Sequence, residues 1–537
     1  MPTSPDTGPG ARENIVEQAR RAEYDLAVVG GGIAGAGVAR DAAMRGLDVF
    51  LVEQKDVASG TTAWSTRLVH GGLRYLEQFD FGLVFESLQE RETLADLAPH
   101  LVDPLEFLIP QYGESLPERL RVRLGMVLYD LLSYGKTMPW HDHLSASDLR
   151  ALEPSLPAEG LQGGFRYHDR QVEFVERLCL ETVLDAAAHG ADVLTYAEAT
   201  GVRTADGRVA GITVADHLGG ATLDVDSRAV VNATGPWADE LVSGDAPMVR
   251  PTKGIHLVVP SLTDHALTLP STDGRVIFVV PWNGRSLVGT TDTDYEGDPG
   301  TARATADDVA YLLEEAGRYF PALDAGDVQF TYAGVRPLYD SDPTADASAV
   351  SRAHEVVHHD HAGLFSLVGA KITPFRRAAE DATDAVADHL GVDAPCRTAD
   401  VALPGGRDGA RATRDTDLPA DTVAHLESLY GARADVVLAR AAEEPRLAEP
   451  LCAHTQDILA QVAVAVETEY ARRLTDVVFR RCTVGWAECE GRDAVEAAAD
   501  EMARLLGWDD DRRRAELDRY EGVLERRHAY EEELAAP

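Results

Sequence analysis

Lysine is nearly absent from this chain of 537 residues. Only Lys55, Lys136, Lys253 and Lys371 occur among 50 basic side chains, and the other 46 are arginine. Positive charge is scarce altogether, because 90 aspartates and glutamates leave a formal net charge of −40. That balance argues against a nucleic-acid binder, which needs a basic face to meet phosphates, and disfavours a polybasic membrane anchor. Cysteine is also scarce. Cys179, Cys396, Cys452, Cys482 and Cys489 are odd in number and form no CxxC pair. A disulfide framework and a zinc ribbon are therefore not expected, no metal site is expected, and a reducing cytoplasm fits. No apolar run reaches the roughly 18 residues of a membrane span. No basic-then-apolar signal opens the chain. Any membrane contact is expected to be peripheral, on the cytoplasmic face.

What is present reads as a large folded protein. Apolar residues make up 45% of the chain, an ordinary globular share, and the length suits two to four domains. Acidity with so little lysine resembles the proteins of salt-loving archaea. In molar salt the Debye length is about 3 Å, so the self-repulsion is largely screened. Residues 1–23 read as a flexible leader, and helical patterning dominates after about residue 420.

Between these ends the most informative segment comes early. Tyr24 to Gly30 reads as a buried strand, Ile33 to Arg45 as a helix, and Leu47 to Glu53 as a second strand. This βαβ unit predicts a parallel, doubly wound sheet. The turn Gly30-Gly31-Gly32-Ile33-Ala34-Gly35 satisfies GxGxxG. Gly30 permits the tight turn, Gly32 lets the backbone approach a pyrophosphate, and Gly35 lets the helix pack closely. The helix N-terminus offers N–H groups and positive dipole to an anion. Glu53 ends the second strand where a ribose hydroxyl needs an acceptor, which disfavours NADP but does not separate NAD from FAD.

Six downstream blocks narrow the choice. They are Thr66-Arg67-Leu68-Val69-His70-Gly71-Gly72-Leu73-Arg74-Tyr75-Leu76, Asn232-Ala233-Thr234-Gly235-Pro236-Trp237, Lys253-Gly254-Ile255-His256, Gly289-Thr290-Thr291-Asp292, Gly334-Val335-Arg336-Pro337-Leu338 and Gly369-Ala370-Lys371-Ile372-Thr373. In this order they resemble the FAD-dependent glycerol-3-phosphate dehydrogenase family, over about residues 24–530. The resemblance implies an α/β fold, α+β overall. It has a Rossmann-like FAD domain of the D-amino-acid oxidase type (24–90, 160–245 and 345–395), an antiparallel-sheet substrate domain (91–159 and 246–344) and a C-terminal helical cap (396–537). It also implies FAD as cofactor, oxidation of sn-glycerol 3-phosphate to dihydroxyacetone phosphate, and a quinone or other electron acceptor. A homodimer and peripheral membrane contact are further expectations.

The same resemblance implies roles for individual residues. Arg74, Tyr75, Arg352 and Lys371 are expected to bind the substrate phosphate, for which an arginine fork is well suited. His256 is expected to be the base and Arg336 to stabilise a developing alkoxide. FAD contacts are expected from Gly30, Gly32, Ile33, Gly35, Glu53, Thr61, Thr62, Thr66, His70, Gly71, Gly235, Gly369, Ile372 and Thr373. The last block departs from the family pattern at Ala370 and at Pro374-Phe375. An anaerobic branch carries a cysteine-rich module suited to an iron–sulfur cluster, which needs compact thiolate spacing that this chain lacks. The single-chain aerobic type is therefore expected. The alternatives are a flavin-dependent amino-acid or amine oxidase of the same fold, oxygen as acceptor, and a non-catalytic FAD-binding subunit.

Overall fold

The computed structural model describes residues 7–76, 80–113, 115–133, 135, 137–242, 247–340 and 353–535. Its first sheet grows from the expected βαβ unit. The strands Glu23–Val29 and Val49–Glu53 run parallel on either side of the crossover helix Ile33–Met44. Five parallel strands follow the spatial order Leu364–Val368, Thr222–Asn232, Glu23–Val29, Val49–Glu53, Asp192–Thr195. Their residues are mostly apolar and buried, as expected of a sheet covered on both faces, apart from alternating exposed polar positions in the first half of Thr222–Asn232. Antiparallel strands complete an eight-stranded sheet. The helices Val175–Ala188 and Phe375–Leu390 pack beside Ile33–Met44.

A second, ten-stranded sheet is antiparallel except where Ala266–Pro270 runs parallel to Asp103–Tyr112. It includes Leu161–Gln171, which pairs along almost its whole length with Asp103–Tyr112. That strand was expected in the FAD domain. The long antiparallel ladder instead places it, with the short strand Leu68–Val69, in the second sheet.

The N-terminal stretch also differs from expectation. Residues read as a flexible leader form the helix Pro9–Ala19, with Ala19 fully buried. Arg12 pairs with Asp216 at 2.7 Å. Thr7 is buried too, donating its N–H to the Glu467 carbonyl while its own carbonyl accepts from Arg472. These anchors come from residues hundreds of positions away and leave no local pattern.

The C-terminal region is helical, including Ala420–Tyr430, Ala434–Glu443, Leu459–Thr468, Leu474–Arg480, Val495–Leu506 and Asp510–Ala535. It is joined to the first sheet by buried charge. Asp56, just beyond the second strand, accepts both nitrogens of the Arg481 fork at 2.8 Å and Arg480 at 2.5 Å. Glu469 takes Arg177 at 2.7 and 3.0 Å and Arg433 at 2.8 Å. Burial alone would raise both acids. The guanidinium groups outweigh it, holding Asp56 below its ordinary value and Glu469 at about 2.

Breaking one partner of a buried pair leaves an uncompensated charge, so Asp56→Asn is expected to destabilise the protein by about 3–5 kcal/mol in thermal or denaturant unfolding. The pH dependence has a definite sign, because the folded-state acids are depressed. The Glu469 contribution is complete above the ordinary value near 4.5 and is lost as pH falls toward about 2. Acid unfolding followed through tryptophan fluorescence is therefore expected to lose part of its dependence in that window in Glu469→Gln.

Candidate active site

The carboxyl ends of the parallel strands open onto one cavity of about 1600 Å³, whose opposite wall is the second sheet. That exceeds the roughly 300–1,000 Å³ of a site for one small ligand. The glycine-rich turn forms its floor, through Gly30, Gly32, Ile33 and Ala34. The approach of helix to strand is absolute at Gly35, where a Cβ would lie 1.9 Å from the Gly30 carbonyl oxygen. Gly35 therefore packs behind the turn and does not line the cavity. Thr62 Oγ1 accepts the Ile33 N–H at 3.0 Å, and Thr61 Oγ1 donates to the Val335 carbonyl at 2.6 Å, linking the turn to the second sheet.

Glu53 occupies the expected place at the strand end and lines the cavity. Its carboxylate accepts the N–H groups of Gly31 at 2.6 Å and Lys55 at 2.9 Å. Burial pushes its pKa up, and those two donors oppose the rise. A carboxylate has further acceptor capacity beyond two bonds, which suits a ribose hydroxyl.

The opposite wall brings His256 and Arg336 together. They lie on paired strands, with His256 opposite Tyr332 and Thr252 opposite Arg336. Alternation puts both side chains on one face of the sheet, with Gly254 between them. A Cβ on Gly254 would meet the Arg336 guanidinium at 2.2 Å, and one on Gly289 would meet the His256 ring at 2.5 Å. Two of the glycine-bearing blocks thus make room for the two polar side chains. His256 stacks on Tyr332 with centroids 4.8 Å apart, and its Nε2 lies 2.9 Å from Thr66 Oγ1. Burial, then Arg336 and Arg67, lowers its pKa to about 3. In the empty cavity this favours the neutral imidazole near pH 7. Arg336 donates to Thr290 Oγ1 at 2.9 Å and faces Asp292 at 3.3 Å.

Other expected residues fall into three groups. Thr66, His70, Gly235, Gly369, Lys371, Ile372 and Thr373 line the cavity. Thr373 Oγ1 accepts the His70 N–H at 3.1 Å. Burial, with Lys371 contributing, lowers the His70 pKa, although Asp169 opposes this. Gly71 is placed otherwise: its neighbours are Leu88 and Tyr129, and Gly72 lines the cavity instead. Arg74 and Tyr75 lie in the 3-10 turn Leu73–Leu76, and their side chains are outside the described residues, as is all of Arg352.

Several site residues were not anticipated. Arg67 is fully buried, pairs with Glu176 at 2.8 and 2.9 Å, and lies over the rings of both Trp282 and Trp486. The C-terminal helices supply Arg473, Arg480, Arg519, Arg526 and Arg527. Paired arginines at 472–473, 480–481 and 526–527 were the available signal. Twelve of the residues lining the cavity are arginine or lysine and only four are aspartate or glutamate. In a chain of charge −40 this local reversal marks a site for anions.

A further unexpected feature borders the cavity. The helix Leu116–Leu132 turns Leu116, Leu120, Leu124 and Leu131 outward, each at least 60% exposed. Arg119, Arg121 and Arg123 lie among them, and Arg121, Val122, Leu124, Gly125 and Leu128 reach the cavity lining. Phe81, Phe85 and Trp140 are exposed as well. A basic amphipathic helix was not anticipated, because a leucine stripe at this spacing reads equally well as a core-facing one.

The residues present fit FAD. A glycine turn at a helix start, an acid on the second strand and a surplus of guanidinium groups suit a dinucleotide pyrophosphate and ribose. The cavity has room for a second, smaller anion. The comparisons agree. Residues 25–374 match the FAD dependent oxidoreductase family, and 396–513 match the C-terminal domain of alpha-glycerophosphate oxidase. The chain is 39% identical over 533 residues to glycerol-3-phosphate dehydrogenase of Synechocystis sp., covering 94% of this chain and 96% of the relative. It is 32% identical to the aerobic glycerol-3-phosphate dehydrogenase of Staphylococcus aureus, covering 93% of each. The solved glycerol-3-phosphate dehydrogenase from Bacillus halodurans, complexed with FAD, superposes with a TM-score of 0.80 at 31% identity, covering 97% of this chain and 98% of the other. A charge-inverted cavity over a glycine turn, carried on this two-sheet frame with its helical C-terminus, places the chain in the glycerol-3-phosphate dehydrogenase family of FAD-dependent oxidoreductases.

Proposed function

We propose that this chain oxidises sn-glycerol 3-phosphate to dihydroxyacetone phosphate and passes the electrons to a quinone. The observation that carries this reading is the cationic cavity in an otherwise strongly acidic chain, with a neutral imidazole beside a guanidinium on its wall. The bound flavin supplies the hydride acceptor. The protein's task is to hold the phosphate, orient C2 and manage one proton. Lys371 and cavity arginines bind the phosphate oxygens, with Arg74, Tyr75 and Arg352 as the further expected donors. His256 takes the hydroxyl proton. Burial and two guanidinium groups keep its lone pair available, and Thr66 holds the ring through Nε2. The same charges that disfavour imidazolium favour negative charge developing on the substrate oxygen, where Arg336 stabilises it. Binding of a phosphate dianion offsets the positive field and makes His256 a better base than it is in the empty cavity.

The lipid solubility of a quinone requires access from a membrane. Among the described residues no helix is long and apolar enough to cross one. The exposed leucine ridge of Leu116–Leu132, with its three arginines, supports peripheral docking to anionic lipid, at a point continuous with the cavity lining.

Anaerobic addition of sn-glycerol 3-phosphate to the FAD-loaded protein in high KCl is expected to bleach the visible flavin band and yield dihydroxyacetone phosphate. Absence of bleaching in protein that dithionite still reduces would overturn the reading and turn attention to amino acids. His256→Asn is expected to lower kcat by roughly 10²–10⁴-fold, the usual contribution of a positioned proton acceptor. Arg336→Lys is expected to lower it by roughly 10²–10³-fold, with FAD content unchanged in both. For docking, Leu116→Glu/Leu120→Glu is expected to abolish co-sedimentation with anionic vesicles while turnover with a water-soluble dye acceptor persists. Unchanged sedimentation of that variant would remove this helix from the membrane contact.

A further inference from the structure

Cys452 and Cys489 stand 37 positions apart, and the fold brings their sulfurs to 3.6 Å. Cys452 lies in the loop before the helix Leu459–Thr468. Cys489 lies in the turn between the short 3-10 segment Val484–Trp486 and the helix Val495–Leu506. Asp493, on the same turn, places Oδ1 3.1 Å from the Cys489 sulfur. One ligand atom from each residue lies within 4.8 Å of the others. None of the three lines the flavin cavity.

We infer that Cys452, Cys489 and Asp493 form a binding site for one zinc-class divalent cation that ties these two loops together. The donor set has the right chemistry, since two thiolates and a carboxylate suit a borderline-soft ion and disfavour magnesium or calcium. The spacing agrees with the geometry. Zinc–sulfur bonds of about 2.3 Å in a tetrahedral site put the two sulfurs about 3.8 Å apart, and a zinc–oxygen bond of about 2.0 Å puts sulfur and oxygen about 3.5 Å apart. The surrounding backbone already supports such ligands. The His454 N–H donates to the Cys452 sulfur at 3.3 Å, and the Ala453 N–H donates to Asp493 Oδ2 at 2.8 Å. Such outer hydrogen bonds orient a ligand and spread its negative charge. Cys452 is buried while Asp493 is exposed, so the group has a buried base and an open mouth for a cation and a fourth, water ligand. Uptake displaces the two thiol protons to solvent, and no redox change is involved. The sulfur count excludes an iron–sulfur cluster at this group, which holds two thiols where a cluster takes four.

The test uses the FAD-loaded full chain, purified with reductant and stripped by a chelator. Zinc is expected to bind at one equivalent per chain, to raise Tm, and to slow alkylation of Cys452 and Cys489 in the unaltered protein. Cobalt(II) in its place is expected to give d–d bands at longer wavelength than the flavin absorption. Cys452→Ser/Cys489→Ser is expected to take up less than a tenth of an equivalent, and Asp493→Asn to bind roughly 10-fold more weakly. Flavin content is expected to be the same with and without metal. Absence of stoichiometric zinc uptake by the reduced protein, or uptake with unchanged alkylation rates at both cysteines, would overturn the assignment. The alkylation measurement needs no variant, so a misfolded double mutant does not blunt the test.

Discussion

The site rests on one steric constraint, the contact between Gly35 and the carbonyl of Gly30. No residue with a Cβ fits there. With glycine in place, the helix Ile33–Met44 starts directly above the sheet, and its N-terminal turn becomes the cavity floor. Everything else is arranged around that floor. The ends of Val49–Glu53 and Thr222–Asn232 flank it, the second sheet faces it, and the C-terminal helices close one side through Asp56, which follows the second strand by three residues.

Charge is organised against the average of the chain. A net charge of −40 spread over the surface would repel any phosphate, yet most of the charged groups on the cavity wall are guanidinium groups. Arginine, and not lysine, makes this workable. Its rigid fork pairs bidentately with carboxylates when buried, as at Arg481–Asp56, Arg177–Glu469 and Arg67–Glu176, and stacks on aromatic rings, as Arg527 does on Phe330, Phe479 and Trp486. Burial lowers the pKa of Arg527 to about 10, which leaves it charged at physiological pH. The near absence of lysine thus coincides with a core and a cavity built on guanidinium geometry.

The legible parts of the fold were those written in local pattern. The first βαβ unit and the helical C-terminus follow from periodicity and turn residues. The glycine blocks were legible as motifs, but their purpose was not. That Gly254 yields to Arg336 and Gly289 to the His256 ring depends on the register of three antiparallel strands. Gly71 shows the reverse, since a motif position taken for a cofactor contact packs against Leu88 and Tyr129. The N-terminal helix and the strand Leu161–Gln171 were misplaced because the anchors that hold them are distant in sequence.

The amino-acid sequence by itself determined the dinucleotide turn, its acid partner at Glu53, the overall charge and the family. Each depends on residues within short segments, on the order of such segments along the chain or on composition, which need no tertiary partner to be recognised. Tertiary structure alone decided which arginines face the cavity, that the leucine stripe of Leu116–Leu132 points outward, and that Cys489 meets Cys452 and not its nearer neighbour in sequence, Cys482. The physical reason is common to all three. A side chain's environment is set by the element packed against it, and that element comes from elsewhere in the chain.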